Sequence, residues 1–270
     1  MGDLEPKNEE TRAWMEAATA DFSRCLFLIA GAEGAKETTE EVNENELPLQ
    51  AKIKSIELDA ICVDFSGFIF PGGAWFERAA FTGAIGFERA TFAGRVWFDS
   101  TAFLGRTTFD SAAFTGPARF ERATFEGETR FRGATFADDA RFESATFTDN
   151  ARFESATFAD NARFESATFT GNASFRSATF TGAAEFGGAA FQNSAKFAGT
   201  KYFQVTQFTG IKVERAFDMT GAAFAEVPAF NQADFKQAPD LDDVTFPPVS
   251  FWRGGKAKLV ARPCRRCICR

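Results

Sequence analysis

Three thiols, Cys264, Cys267 and Cys269, crowd the last seven residues of the chain, and thiolates at such close spacing are candidate metal ligands. The set is incomplete. A structural zinc site takes four ligands, Cys25 and Cys62 are remote in sequence, and the 270 residues contain no histidine. That lack also removes the usual general base and the Ser-His and Cys-His nucleophile pairs, so no enzyme, catalytic residue, cofactor or metal site is expected. Five cysteines do not make a disulfide framework for a chain of this size. Recognition chemistry is better represented, by Trp75 and Trp97 with the acids Glu77 and Asp99 two positions beyond them.

The elements that position these residues follow from one regularity. Phenylalanine recurs on an alternating count of five and six from Phe65 to Trp252, and 30 of the 35 marked positions are Phe; the others are Tyr202, Val213, Met219, Leu241 and Trp252. The result is an eleven-residue repeat. In Ala151-Arg152-Phe153-Glu154-Ser155, Ala and Phe lie two apart, so an extended chain points both to one face and turns Arg152 and Glu154 to the other. Each unit is a short strand with a dry side and a wet side.

In eleven successive elevens the second unit closes on a turn former: Gly83, Gly94, Gly105, Gly116, Gly127, Asp138, Asp149, Asp160, Gly171, Gly182 and Asn193. These types tolerate left-handed backbone, so the sharp corners are expected there, with Asn150, Asn161 and Asn172 beside them. Short strands between regular corners at a fixed period describe a β-solenoid. An eleven-residue helical repeat is the rival, and it fails on geometry. A five-residue step turns about 140° around a helix, splitting the Phe into two stripes and leaving glycine in mid-helix.

The Ala-x-Phe pairs over about 65–252 resemble the pentapeptide-repeat proteins, specifically the bacterial Phe-rich variety that runs in elevens. The family commonly has Asp or Asn just before the central residue, where this chain has Arg152, Arg163, Thr157 or Thr168. The resemblance implies an all-β fold, a right-handed quadrilateral β-helix of about 22 residues per coil. It also implies DNA gyrase as a partner, because some members protect gyrase by mimicking duplex DNA.

Three domains are expected: an N-terminal helix and acidic linker at 1–49, the solenoid at 50–252, and a basic cysteine-containing tail at 253–270. Trp14, Ala18, Phe22, Cys25 and Ile29 share one helical face, with Asn8 as N-cap and Gly31 as terminator, so residues 8–30 are expected to form a capping α-helix. Such a cap would cover a raw sheet edge, and an uncovered edge leaves a homodimer open. Ile53, Ile56, Leu58, Ile61 and Val63 suggest an irregular first coil, and Pro247 and Pro248 mark the far end of the solenoid, since they cannot both donate to a sheet ladder. The tail's seven bases and no acid suit weak, non-specific attraction to nucleic acid or another anionic surface. No apolar run is long enough for a membrane span, and the start lacks a basic leader region, so a cytoplasmic location is expected.

Residues 22 apart should stack in columns. One outward column is Trp75, Trp97, Arg119, Arg141 and Arg163, beside Glu77, Asp99, Glu121, Glu143 and Glu165; the Arg column should screen the acids. Either the N-terminal segment folds back over the two Trp, or they form a binding patch for a protein partner with Glu77 and Asp99. Thr146 and Thr148, Thr168 and Thr170, and Thr179 and Thr181 resemble ice-binding ladders, but the array breaks at Ala137, Ala159 and Glu126. The expected function is a non-catalytic scaffold that binds another macromolecule through its side faces. DNA mimicry is the alternative, and the repeat's 22 acids against 17 bases weigh against it.

Overall fold

The computed structural model describes residues 62–247 and two strands that precede them, Ala20–Asp21 and Leu26–Phe27. Four parallel sheets of eight, nine, eight and eight strands wrap one core. In chain order, face one begins with Cys62–Asp64, face two with Ile69–Phe70, face three with Ala74–Trp75 and face four with Ala80–Phe81. From Cys62 onward, strands neighbouring in a sheet are 22 residues apart, as Ala151 pairs with Ala173 and Thr157 with Thr179. This is the expected all-β solenoid. Among the described residues no helix is long and apolar enough to cross a membrane.

The Phe positions fill the interior. Phe153 is fully buried and stacks between Phe131 and Phe175, with ring centroids 4.9 and 4.8 Å apart and planes within 4°. It meets Phe142 and Phe164, both of one neighbouring column, edge-on at 5.6 and 5.5 Å. The strand spacing of about 4.8 Å is itself a comfortable ring-stacking distance, so backbone pairing and aromatic packing impose the same register.

The corners differ from expectation. Left-handed backbone occurs every eleven residues, but at the end of the first unit: Arg78, Arg89, Ser100, Ser111, Arg122, Ser144, Ser155, Ser166 and Ser177 have φ of 56 to 58°, and Gly133 and Gly188 occupy the same slot. Each lies in a tight turn closed by the next residue, as where Ala156 N–H donates to the Phe153 carbonyl at 3.1 Å. A non-glycine residue held there costs about 1–2 kcal/mol, against about 1.5–3 kcal/mol from each buried Phe. With four Phe slots and two such turns per coil, packing wins. The glycines of the second unit serve close approach instead: a Cβ on Gly171 would lie 2.4 Å from the Asp149 backbone of the preceding coil. Where Asp or Asn fills the slot, its side chain accepts the following N–H, as from Asn150 to Asp149 at 2.6 Å.

The N-terminal helix also needs correction. Within the span expected to be helical, Ala20–Asp21 pairs with Ala74–Trp75 and Leu26–Phe27 with Ala80–Phe81. The six-residue step from Ala20 to Leu26 equals that from Ala74 to Ala80, so this segment satisfies the open edges of faces three and four as a strand would. Edge pairing overrides the local helical pattern. The rest of 8–30, the linker, the boundaries at 49 and 252, and the tail with its cysteines lie outside the described residues. Cys62–Asp64 is a regular strand, so pairing starts three residues before Phe65, and Thr245, bridged to Ala223, closes the described ladder.

Candidate functional site

Face three sets Trp75, Trp97, Arg119, Arg141 and Arg163 in one outward column, each the backbone partner of the next. The neighbours Ala74 and Phe76 are buried, which turns Trp75 outward; both Trp are half-buried. Their rings stack with centroids 4.5 Å apart and planes 13° apart. Because the coils are in register, that stack runs along the solenoid axis, so the indoles present edges rather than flat faces to a partner. Ring edges carry the positive side of the aromatic quadrupole.

Two further residues complete the patch. Gly73 underlies Trp75, where a Cβ would come within 2.7 Å of the ring. One coil on, at the position equivalent to Gly73, Arg95 holds its guanidinium 5.5 Å from the Trp97 ring centroid. This cation–π contact is worth about 0.5–1 kcal/mol at an exposed site. The sequence reading passed over Arg95, although it lies two residues before Trp97 and so on the same side of the strand. The fold-back expected of the N-terminal segment takes a different form, since Asp21 is the next backbone rung beside Trp75.

The two acids differ. Glu77 is half-buried, with only a loose pairing at 3.9 Å to the exposed Arg78 beside it. Asp99 is buried; it accepts the Glu121 N–H at 3.2 Å and meets Arg119 Nε at 3.1 Å. Burial raises its pKa while Arg119 opposes the rise. Asp99 is therefore engaged inside the protein, and Glu77 is the acid a partner can reach.

Arginine screens the acidic column only in part. Arg119 and Arg141 reach Glu121 at 3.2 and 3.3 Å, and Arg163 reaches Asp139 and Glu185 at 3.5 and 3.8 Å. Glu143 and Glu165 have no ion pair among the described residues. Burial raises both pKa values, and for Glu165 burial together with hydrogen bonding to Glu185 carries it to about 7. The folded state thus binds a proton more tightly than the unfolded chain. This contribution is full below the unfolded value of about 4.5 and is lost as pH rises through about 7. Urea midpoints measured at pH 5 and pH 8 are expected to fall more for wild type than for Glu165→Gln, and equal falls would refute the assignment.

Among the described residues Asp138, Asp139 and Asp160 form the one acidic trio close enough to share a cation. Their oxygens already serve the corner: Asp138 accepts the Asp139 N–H at 2.7 Å, Asp160 the Asn161 N–H at 2.8 Å, and Asp139 accepts from Asn161 Nδ2 at 3.0 Å.

An axial column of short parallel strands, aromatic inside and charged outside, defines a β-solenoid of the pentapeptide class. The model of pentapeptide repeats (9 copies) matches residues 65–113, 109–157 and 153–201, just over half of the chain. The chain belongs to the pentapeptide-repeat family. No curated protein matches it.

Proposed function

We propose that this solenoid is a non-catalytic scaffold that binds a protein partner through the first coils of face three, with Trp75, Trp97, Arg95 and Glu77 as the contact residues. The observation that carries this reading is the Trp75–Trp97 stack, half-exposed on a face whose later outward rungs are Arg119, Arg141, Arg163, Glu185 and Gln207. The ring stack and the Arg95 contact restrain the indoles, so little side-chain entropy is lost when they are covered. Buried Trp anchors supply a large share of the energy at many interfaces. Trp75→Ala/Trp97→Ala is therefore expected to weaken capture of the partner from the native host by tenfold or more while leaving the thermal midpoint within a few degrees. Unchanged capture would sink the reading.

DNA mimicry remains the second reading, because the family includes gyrase protectors. It requires negative potential along most of the rod, and the net charge of the repeat is only −5, from 22 acids and 17 bases. Ion pairs such as Arg141–Glu121 and Arg152–Glu128 further neutralise the middle coils. The purified chain is expected to inhibit gyrase supercoiling poorly. Potent inhibition that survives loss of both Trp would favour mimicry instead.

A further inference from the structure

Face one carries an interruption with no counterpart on face three. Its outward column reads Arg130, Arg152, Ser174, Lys196, each the backbone partner of the next. The small Ser174 leaves a notch between two cations that stand two coils, about 9–10 Å, apart along the axis. The depression measures about 250 Å³ and is lined by Asn150, Arg152, Glu154, Asn172, Ser174, Arg176 and Lys196. Face three offers nothing similar, because Arg163 fills the slot between Arg141 and Glu185.

The side chains that line it give the notch a ligand preference. Ser174 is 8% exposed, and its hydroxyl oxygen is buried without a hydrogen-bond partner, an expensive state for a polar atom. Lys196 makes no ion pair among the described residues. Three cations line the notch against one acid, Glu154, which lies 3.5 Å from Arg132. Arg152 is held by Glu128 at 2.8 Å and Arg176 by Asp218 at 3.6 Å, so both are positioned at the margin. Asn172 Nδ2 spends one hydrogen on Asn150 Oδ1 at 3.0 Å and keeps another.

We infer that this notch binds a phosphate-type oxyanion, with Lys196 and Arg152 supplying charge, Asn172 donating a hydrogen bond, and the buried Ser174 hydroxyl turning about its Cα–Cβ bond to donate another. A tetrahedral oxyanion about 5 Å across fits the space left by one missing long side chain, and cationic donors bind it well. The inference is independent of the Trp patch, which lies on a different face and on earlier coils. Free phosphate and a phosphorylated side chain of a partner offer the same chemistry.

The test is titration of the full-length chain with inorganic phosphate, and separately with a phosphoserine peptide, at ionic strength held constant with chloride. Amide shifts of Ser174 and Lys196 are expected to saturate, and the tighter ligand identifies the source. Lys196→Ala and Ser174→Arg should each weaken binding at least tenfold, whereas Lys212→Ala on face four should not. Ser174→Arg restores the residue type of the two preceding rungs, so its fold should survive, as checked by thermal unfolding. Shifts that do not saturate, that chloride alone reproduces, or that persist in both variants would overturn the inference.

Discussion

Replacing Phe153 by alanine is expected to destabilise the solenoid by about 3–5 kcal/mol, the usual cost of emptying an aromatic site in a packed core. The ring is fully buried and touches aromatic neighbours above, below and at its edges. Its stacking partners are pinned by backbone pairs 22 residues apart, so they cannot close the gap without breaking register. Collapse is therefore limited and the cavity contribution large. Arg152, the preceding residue, is the matched control. It sits on the outer side of the same strand, partly exposed and paired with Glu128 at 2.8 Å, and Arg152→Ala should cost no more than about 0.5 kcal/mol. Urea unfolding of both variants provides the comparison. Equal losses would contradict the inward and outward assignment on which the Trp patch and the oxyanion notch both rest.

The solenoid itself was legible from Phe spacing alone, because two constraints agree. Alternation of five and six puts Phe inward on every strand, and the pairing distance between strands is also a good distance between rings. The corners were harder to read. Glycine and Asp-Asn mark the second-unit closures, yet the left-handed residues are Ser144, Ser155, Ser166 and their equivalents. Composition names residues that tolerate φ above zero, whereas the fold imposes that φ on serine and arginine because aromatic burial outweighs the cost. The strands at Ala20–Asp21 and Leu26–Phe27 were hidden for a related reason, as a helical pattern nearby says nothing about an unsatisfied sheet edge distant in sequence.

At the candidate site, the outward Trp pair followed from alternation and the stack from the 22-residue coil. What remained unread depended on side-chain reach across coils. Asp99 looked available but is occupied by Arg119 and the Glu121 N–H, both from the next coil. Arg95, which the Phe repeat gives no reason to single out, lies against Trp97. Ser174 is the reverse case: an inconspicuous residue that matters because the rungs on either side are long and cationic.

Removing one residue, Asn161, is expected to damage the protein more than removing the 22 residues 142–163. The larger deletion joins Arg141 to Phe164, so the inward slot of Phe142 is refilled by Phe and every later residue moves by one whole coil. Its neighbours gain equivalent partners: Ala162, which pairs with both Ala140 and Ala184, is removed, and Ala184 takes its place beside Ala140 in the same register. Stability in a solenoid is roughly a sum over repeats and their interfaces, so the shorter rod should unfold cooperatively at a modestly lower urea midpoint. Asn161 is the extra residue that makes a five-residue step into six. Its carbonyl accepts the Ala140 N–H at 2.9 Å, its Oδ1 accepts the Ala183 N–H at 3.2 Å, and its Nδ2 donates to Asp139 at 3.0 Å. Without it, every residue after 161 moves by one against the coil before, which turns Phe164 and Phe169 toward solvent and brings Arg163 inward. The strain cannot be spread, because a shift of one reverses every side chain of a strand. Limited proteolysis should cut the single-deletion variant beyond Asp160 and spare the 22-residue deletion. A harmless loss of Asn161 beside an unfolded 22-residue deletion would show that the coil does not set the register.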